Sequence, residues 1–489
     1  MKFSRTILLL LLSAFCVFLA IVLFNTFTFQ SKQIASSPVE KIVIEPLSIE
    51  NFSKAIQIKT VSPENELDFD SLQFQEFAEY LTSTYPLTDS LLKKKTFNSY
   101  SFLYKWQGTD STLKPIILMG HLDVVPVIPE NLADWREDPF GGEIINDTIW
   151  GRGTIDDKVG VIGIMEATEY LIKSDFQPQR SIYLAFGHDE EVGGQKGAKS
   201  IADYLENQNI KAEFVLDEGG SIVQDMVPGI EGDVALIGIA EKGFVSLELS
   251  VKVEGGHSSM PEKETAIDII SRAIVKLKEN PFPKSISTPI EGFIQNLGPE
   301  MPFLNKMVFA NQSIFKSIIT QIYEESASGN ALVRTTMSPT IINSGVKENI
   351  IPQSARATIN FRILPEESVK TVIDRVSEVI EDDRISIKSS EFISEPSKVS
   401  STDSFGYKEI QKTISQIFPS TLVSPYLVVG GTDSRHFSEI SENIYRFSVI
   451  KLNKGNIKSF HGLNERIPVS DFENSIRFYQ QLISNTCSQ

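Results

Sequence analysis

The sequence predicts an α/β protein that carries an inserted α+β domain and is preceded by one long apolar helix. Three observations support this. Short apolar runs alternate with amphipathic stretches along most of the 489 residues, the pattern of a sheet covered by helices. Near residue 244 the pattern changes to two-residue alternation, and it reverts after about residue 400. Ahead of both lies a nearly unbroken run of Leu, Ile, Val, Phe and Ala from Ile7 to Phe24.

That first run, extended by Phe27 and Phe29, approaches the roughly 20 residues a bilayer crossing needs. Lys2 and Arg5 precede it and only Lys32 follows closely, so the N-terminus is expected in the cytoplasm and the remainder on the far side, whether periplasmic, lumenal or extracellular. A cleaved signal peptide is the competing reading. No small-x-small site follows the run directly, and the run is long for a signal core. Phe15 before Cys16 argues against a lipoprotein signal. The expectation is therefore an uncleaved anchor over residues 1–29 and a polar, Ser/Pro-containing stalk over 30–45.

The larger domain is expected in two parts, 46–243 and 394–489. Pro115–Gly120, Ser181–Phe186 and Glu213–Leu216 read as buried strands. Val159–Lys173 reads as a helix whose apolar face holds Ile162, Met165, Ala167, Tyr170 and Leu171. Residues 244–393 are expected to form the inserted domain. Its strands are expected at Phe244–Val253, Pro339–Asn343, Arg356–Ile363 and Ile385–Ser389, with helices at Thr265–Glu279 and Glu367–Ile380, a ferredoxin-like sandwich. Within it, Pro281–Arg334 is an unusual stretch containing Phe293, Met301, Phe303, Met307 and Phe309, expected as packed core in preference to an apolar pocket.

Composition excludes some classes. A formal net charge of −17 leaves no basic surface for phosphate, so no nucleic-acid partner is expected. The two cysteines, Cys16 in the apolar run and Cys487 near the end, offer neither a disulfide nor a Cys-based zinc site or nucleophile. Asn51, Asn146 and Asn311 head glycosylation-type triplets, a pattern that often arises by chance.

Histidines and carboxylates fall in five segments: GHLDVV (120–125), GRGTIDDK (151–158), GHDEEVGG (187–194), LDEGG (216–220) and FHGLNE (460–465). The chain has only five histidines, and all lie in or beside motif-like segments. The residues His121 and Asp123, Glu190 and Glu191, and Asp217 follow the expected strands, where open α/β sheets place their ligands. Neutral imidazole and carboxylate suit zinc, and a catalytic zinc keeps one position for water. Asp123 is placed to receive the second ring N–H of His121. Asp156 could cap a helix or bridge two metals about 3.5–4 Å apart. Of the adjacent glutamates, one can bind metal while the other serves as general base.

The ordered segments resemble the zinc exopeptidases of metallopeptidase family 20, which includes aminoacylases, carboxypeptidase S and succinyl-diaminopimelate desuccinylase. The likeness runs from about Ala55 to Leu482 and is greatest to the N-fatty-acyl-amino-acid synthase/hydrolase and carboxypeptidase S branch. It includes AEKG (240–243), GGHSSMP (255–261), GVKENIIP (345–352), GTDSRHF (431–437) and IYRF (444–447). The resemblance implies a zinc-exopeptidase-like catalytic domain with two zinc ions per chain, and a lid or dimerisation role for the inserted domain, residues 244–393. One would be held by His121 and Asp217 and the other by Glu191 and His461, with Asp156 bridging both. It implies Glu190 as general base, Asp123 as support for His121, and His257 as an oxyanion-stabilising group, often from a neighbouring subunit. Asn349 and Arg435 match positions near the substrate, with Arg435 reading a carboxylate. Arg362 is a weaker choice for that role, and His188 and His436 are given structural roles.

The implied reaction is amide cleavage in an N-acyl amino acid or at the C-terminus of a short peptide. Partners are then a small-molecule substrate, the membrane through the N-terminal helix, and a second copy of the chain. A non-catalytic binding domain on the same fold is a different class of reading, which would be expected to lose ligands or base.

Overall fold

The computed structural model describes residues 2–63 and 65–488, with side chains from Arg5 onward, so the flanking charge of Lys2 lies outside the described side chains. The first element, α1 (Lys2–Thr28), is one continuous helix of 27 residues. Its Arg5–Thr28 stretch of 24 residues has the length and composition to cross a membrane, and nearly all of it is exposed. Segment 30–45, expected as a stalk, runs along the body. The Gln33 amide accepts from Val423 N–H at 2.8 Å and donates to the carbonyls of Val423 and Asn296 at 3.0 and 3.2 Å.

The large sheet has ten strands: β1 (Lys93–Phe97), β2 (Ser101–Trp106), β3 (Ile116–His121), β4 (Ile182–Gly187), β5 (Phe214–Asp217), β6 (Ile222–Gln224), β7 (Asp233–Glu241), and, after the lid, three more. The lid contributes β8 (Gly243–Lys252), β9 (Gly256–His257), β10 (Thr336–Ser344), β11 (Ile350–Ile351), β12 (Ser354–Ile363) and β13 (Ile385–Ser394). The large sheet then resumes with β14 (Leu422–Val428), β15 (Ile444–Arg446) and β16 (Lys451–Leu452). Its order is β1-β2-β4-β3-β5-β15-β7-β6-β16, with β14 also paired to β7. The block β4-β3-β5-β15 is parallel, so its strands all end on one side.

Both faces of that block are covered, which explains its unbroken apolar runs. Ile116 and Leu118 face one core cluster, which includes α2 (Lys158–Lys173), while Ile117 and Met119 face another, which includes the helix Ala198–Asn207. The final helix, Val469–Cys487, lies tightly on α2 at Gly163, where an added Cβ would stand 2.6 Å from Ser475 Oγ.

The lid is a four-stranded antiparallel sheet in the order β10-β12-β8-β13. Strand β8 alternates as its sequence predicts, burying Val245, Leu247, Leu249 and Val251 against α3 (Ala266–Glu279) and α7 (Val369–Ile380). Thr265 with Asp268, and Ser368 with Thr371, close capping boxes that start these two helices.

Between α3 and β10 the chain forms α4 (Thr288–Leu297), α5 (Phe303–Ala310) and α6 (Gln312–Glu324). Although this insert lies within 244–393, its buried Ile290, Ile294, Ile319 and Leu332 join Ala240 and Leu427 of the large domain, not the core of the lid. Phe293 and Met301 are buried, as expected of core residues, whereas Phe303 is 49% exposed. Of the glycosylation-type triplets, Asn51 and Asn311 are buried with bonded amides, and Asn146 is exposed.

Candidate metal centre

Strand β3 ends on His121, which is buried, and a neighbouring turn brings Asp156 against it. Asp156 divides its two oxygens: Oδ1 lies 2.7 Å from His121 Nε2 and Oδ2 lies 2.6 Å from His461 Nε2. Glu191 Oε1 is 3.6 Å from the same His461 nitrogen. Ligand atoms of His121, Asp156 and Glu218 gather within 4.8 Å of one another, as do those of Asp156, Glu191 and His461, and those of His121, Glu190 and Glu191.

The remaining motif residues hold this cluster in place. Asp123, fully buried, accepts at Oδ1 from the Glu190 N–H and at Oδ2 from the Glu191 N–H, both at 3.1 Å, and approaches His121 Nδ1 at 3.3 Å. One carboxylate thus orients the ring and the glutamate pair together. Arg152 forms a buried ion pair with Glu465 and donates from Nη2 to the carbonyls of His461 and Gly462. Glu465 also accepts from the N–H groups of Gly153 and Ile155, so the Asp156 turn and the His461 loop are joined. Behind them, Glu241 accepts from Thr432 and pairs with Arg446 at 3.0 Å, tying β7 and β15 to the loop that carries Arg435.

Burial governs titration here, and neighbouring charges modify it. Burial alone would lower His121, but its bonds to Asp123 and Asp156 hold it well above the usual range. Burial pushes Glu190 up to about 7, partly offset by His121 and Arg435. Burial, with Asp156 alongside, pushes Glu191 up to about 10. Glu218 is also raised well above a normal carboxyl, by burial and then by Asp156.

Nitrogen and oxygen donors in two overlapping groups sharing Asp156 fit a pair of zinc ions. Glu191 Oε1 is buried without a hydrogen-bond partner and faces the cluster, as a ligand atom would.

Residues 117–485 match the model of peptidase family M20/M25/M40. The chain belongs to this family. It is 40% identical to a probable carboxypeptidase S-like protein of Dictyostelium discoideum, over 96% of this chain and 92% of that one. It is 39% identical to the N-fatty-acyl-amino acid synthase/hydrolase of Xenopus tropicalis, over 99% and 95%. The fold superposes on an M20 family metallo-carboxypeptidase from Sulfolobus solfataricus with a TM-score of 0.67 at 17% identity, over 91% and 99% of the two chains. As a member of the M20 family, the protein is a zinc-dependent hydrolase of the metallopeptidase and amidohydrolase class.

The M20 family site expected from the sequence gathers in part. His121, Asp123, Asp156, Glu190, Glu191 and His461 come together. Asp217 is buried beside them, but its Oδ2 accepts from the Ser434 N–H at 2.8 Å, and the neighbouring Glu218 stands in the ligand group. Arg435 Nη2 lies 3.9 Å from Glu190 and its guanidinium stacks over Phe392 of the lid. His257 and Asn349 lie exposed on a lid ladder, where the Ser258 N–H donates to the Asn349 carbonyl. Among the described residues neither has a hydrogen bond or ion pair to the carboxylate cluster. His188 is held against Ser101 and His436 against the Gly193 carbonyl. Sequence reasoning did not single out Glu218, Arg152 or Glu465, although each stands inside one of the five segments.

Proposed function

We propose that the protein is a di-zinc amidohydrolase acting on N-acyl amino acids, preferentially with long acyl chains. The observation that carries this is Asp156 sharing its two oxygens between His121 and His461, with Glu190 beside the cluster and next to Arg435. In this reading His121 and Glu218 serve one ion, Glu191 and His461 the other, and Asp156 both. Asp217 supports the loop through Ser434. Zinc held there supplies Lewis-acid polarisation of the amide carbonyl and acidifies water.

The side chains perform the rest. Glu190 takes a proton from water and delivers it to the leaving nitrogen. Asp123 fixes the direction of that carboxylate by holding its backbone N–H. Arg435, with its Nε buried and unpaired, binds the substrate carboxylate bidentately. His257 reaches the reacting carbonyl through lid movement or from the lid of a second copy, which accounts for its exposure on the lid of this chain. The N-terminal helix anchors the chain with the catalytic domain on the extracytoplasmic side.

The acyl-amino-acid reading draws on the Xenopus relative and on the exposed apolar surface of the insert. A carboxypeptidase acting on short peptides is the second reading, favoured by the Dictyostelium relative. Comparing kcat/KM on an N-oleoyl amino acid and on an N-blocked dipeptide decides between them. Equal or better turnover of the dipeptide refutes the first reading. Purified protein with well under one zinc per chain, or an active Glu190→Gln variant, refutes the mechanism.

A further inference from the structure

We propose that helices α5 and α6 rest on the outer surface of the same bilayer that α1 crosses, so that the insert docks the catalytic domain onto lipid. This rests on reading α1 as a transmembrane helix, and the experiment below separates the two.

The register of α1 sets the level of the insert. A hydrocarbon core of about 30 Å takes about 20 residues at 1.5 Å each. Counted from Thr6, just after Arg5, the crossing ends near Asn25. It is this last part of the helix that the insert grips. Val22 and Thr26 are buried. Asn311, directly after α5, donates from Nδ2 to the Val22 carbonyl at 3.1 Å and accepts at Oδ1 from Asn25 at 2.9 Å. The rings of Phe27 and Phe303 lie 6.0 Å apart. Helix α5 is therefore fixed at the level where acyl chains meet headgroups, and Phe303 and Leu304 are 49% and 68% exposed there.

Helix α6 carries the second observation. Ile319 faces the core, yet Ile314, Ile318 and Ile322, spaced four apart on one face, are 46%, 49% and 55% exposed. An amphipathic helix that lies in an interface buries such a stripe among lipid. The chain leaves no slack for the body to stand off from the membrane. After α1, Lys32 bonds to Gln295 at 2.6 Å and Gln33 is clamped to Val423 and Asn296. Helix α4 lies on Pro425 of β14 at Gly292, and that strand leads into the loop carrying Arg435.

The test uses the full chain in phosphatidylcholine vesicles containing spin-labelled lipid. Native Cys16, labelled with an environment-sensitive fluorophore, reports on α1, since Cys487 is buried and does not label. In a Cys16→Ser background, Ile318→Cys reports on α6 and Lys370→Cys, 81% exposed on the lid, serves as control. The expected result is quenching at positions 16 and 318 and none at 370. Quenching at 16 without quenching at 318 overturns the docking and leaves the anchor standing. A blue-shifted but unquenched probe at 318 means that protein, such as a second copy, covers the stripe, and also overturns it. Quenching at 370 equal to that at 318 denies the insert its role as the docking face. No quenching at 16 refutes the anchor, and the proposal with it.

Discussion

Arg152→Met tests whether the metal ligands depend on the buried pair between the Asp156 turn and the His461 loop. Both partners are almost wholly buried, Arg152 at 3% and Glu465 at 0% exposure. Removing the guanidinium deletes the ion pair and the two Nη2 bonds to the His461 and Gly462 carbonyls. Glu465 remains as a buried carboxylate held by the N–H groups of Gly153 and Ile155. Its carboxyl is already raised by burial, and Arg152 is the main influence opposing that rise. Breaking such a pair costs about 3–5 kcal/mol. The three surviving backbone bonds, from Gly153, Ile155 and Asp156, place Arg152→Met at the low end, about 3 kcal/mol. Glu465→Gln keeps an acceptor oxygen for those bonds and should cost less, about 2 kcal/mol. Because the two changes remove one shared interaction, the double variant should cost clearly less than their sum. Urea unfolding of the four proteins measures the coupling. Zinc affinity, measured by competition with a chelating dye, should fall about 10–100-fold in Arg152→Met, as when a group supporting a ligand is lost. Additive costs within about 0.5 kcal/mol would refute the coupling. Unchanged zinc affinity would show that the pair stabilises the fold without positioning His461.

Three further outcomes are expected. Glu218→Ala should reduce zinc to about one ion per chain, while Asp217→Asn, which can still accept from Ser434, should retain more; the reverse order by metal analysis would return the ligand role to Asp217. If a second copy supplies His257, mixing inactive His257→Ala and Glu190→Gln chains under conditions that exchange subunits should restore part of the activity, whereas lid movement within one chain predicts no recovery. Asp471, remote from the ligands, has its carboxyl pushed up to about 6 by burial. Between about pH 4 and 6 the folded chain therefore holds more protons than the unfolded one, and stability falls as pH rises through that window. Asp471→Asn should remove this loss and gain up to about 3 kcal/mol at pH 7.5 but little at pH 4, and a gain equal at both pH values would contradict the assignment.

The strands were legible because burial on both faces writes them as unbroken apolar runs, and the lid because one-sided burial writes β8 as an alternation. Each of the three large-domain strands expected from the sequence ends one residue later than its apolar run suggests, on His121, Gly187 and Asp217. That extra residue is polar or small because it opens into the site, so hydropathy stops one position short. The same step bears on LDEGG, where only Asp217 is expected from the sequence. Asp217 is the last residue of β5 and turns toward Ser434, while Glu218, just beyond the strand, reaches the cluster. Composition cannot separate two adjacent carboxylates of which one ends the strand and the other begins the loop. The exposure of α6 was illegible for a different reason: an apolar residue in sequence shows that water is avoided, not whether protein or lipid replaces it.

The motif positions that are not ligands follow from the electrostatics of those that are. Glu190, Glu191 and Glu218 are all raised, and the nearby Asp156 raises each of them further. Flexible side chains would relieve such crowding by turning away. Here the turning is opposed by buried charges around the cluster: Asp123 on His121 and the glutamate backbone, Arg152 with Glu465 between the Asp156 turn and the His461 loop, and Arg446 with Glu241 behind the Arg435 loop. Each is itself expensive to bury, a cost that its bonded partners offset. A fold that keeps three such arrangements around one crowded cluster is organised to hold carboxylates in place for a cation, and binding that cation should stabilise the folded chain. On this argument the long motifs are no longer than the chemistry requires. Their extra residues keep the ligands from dispersing.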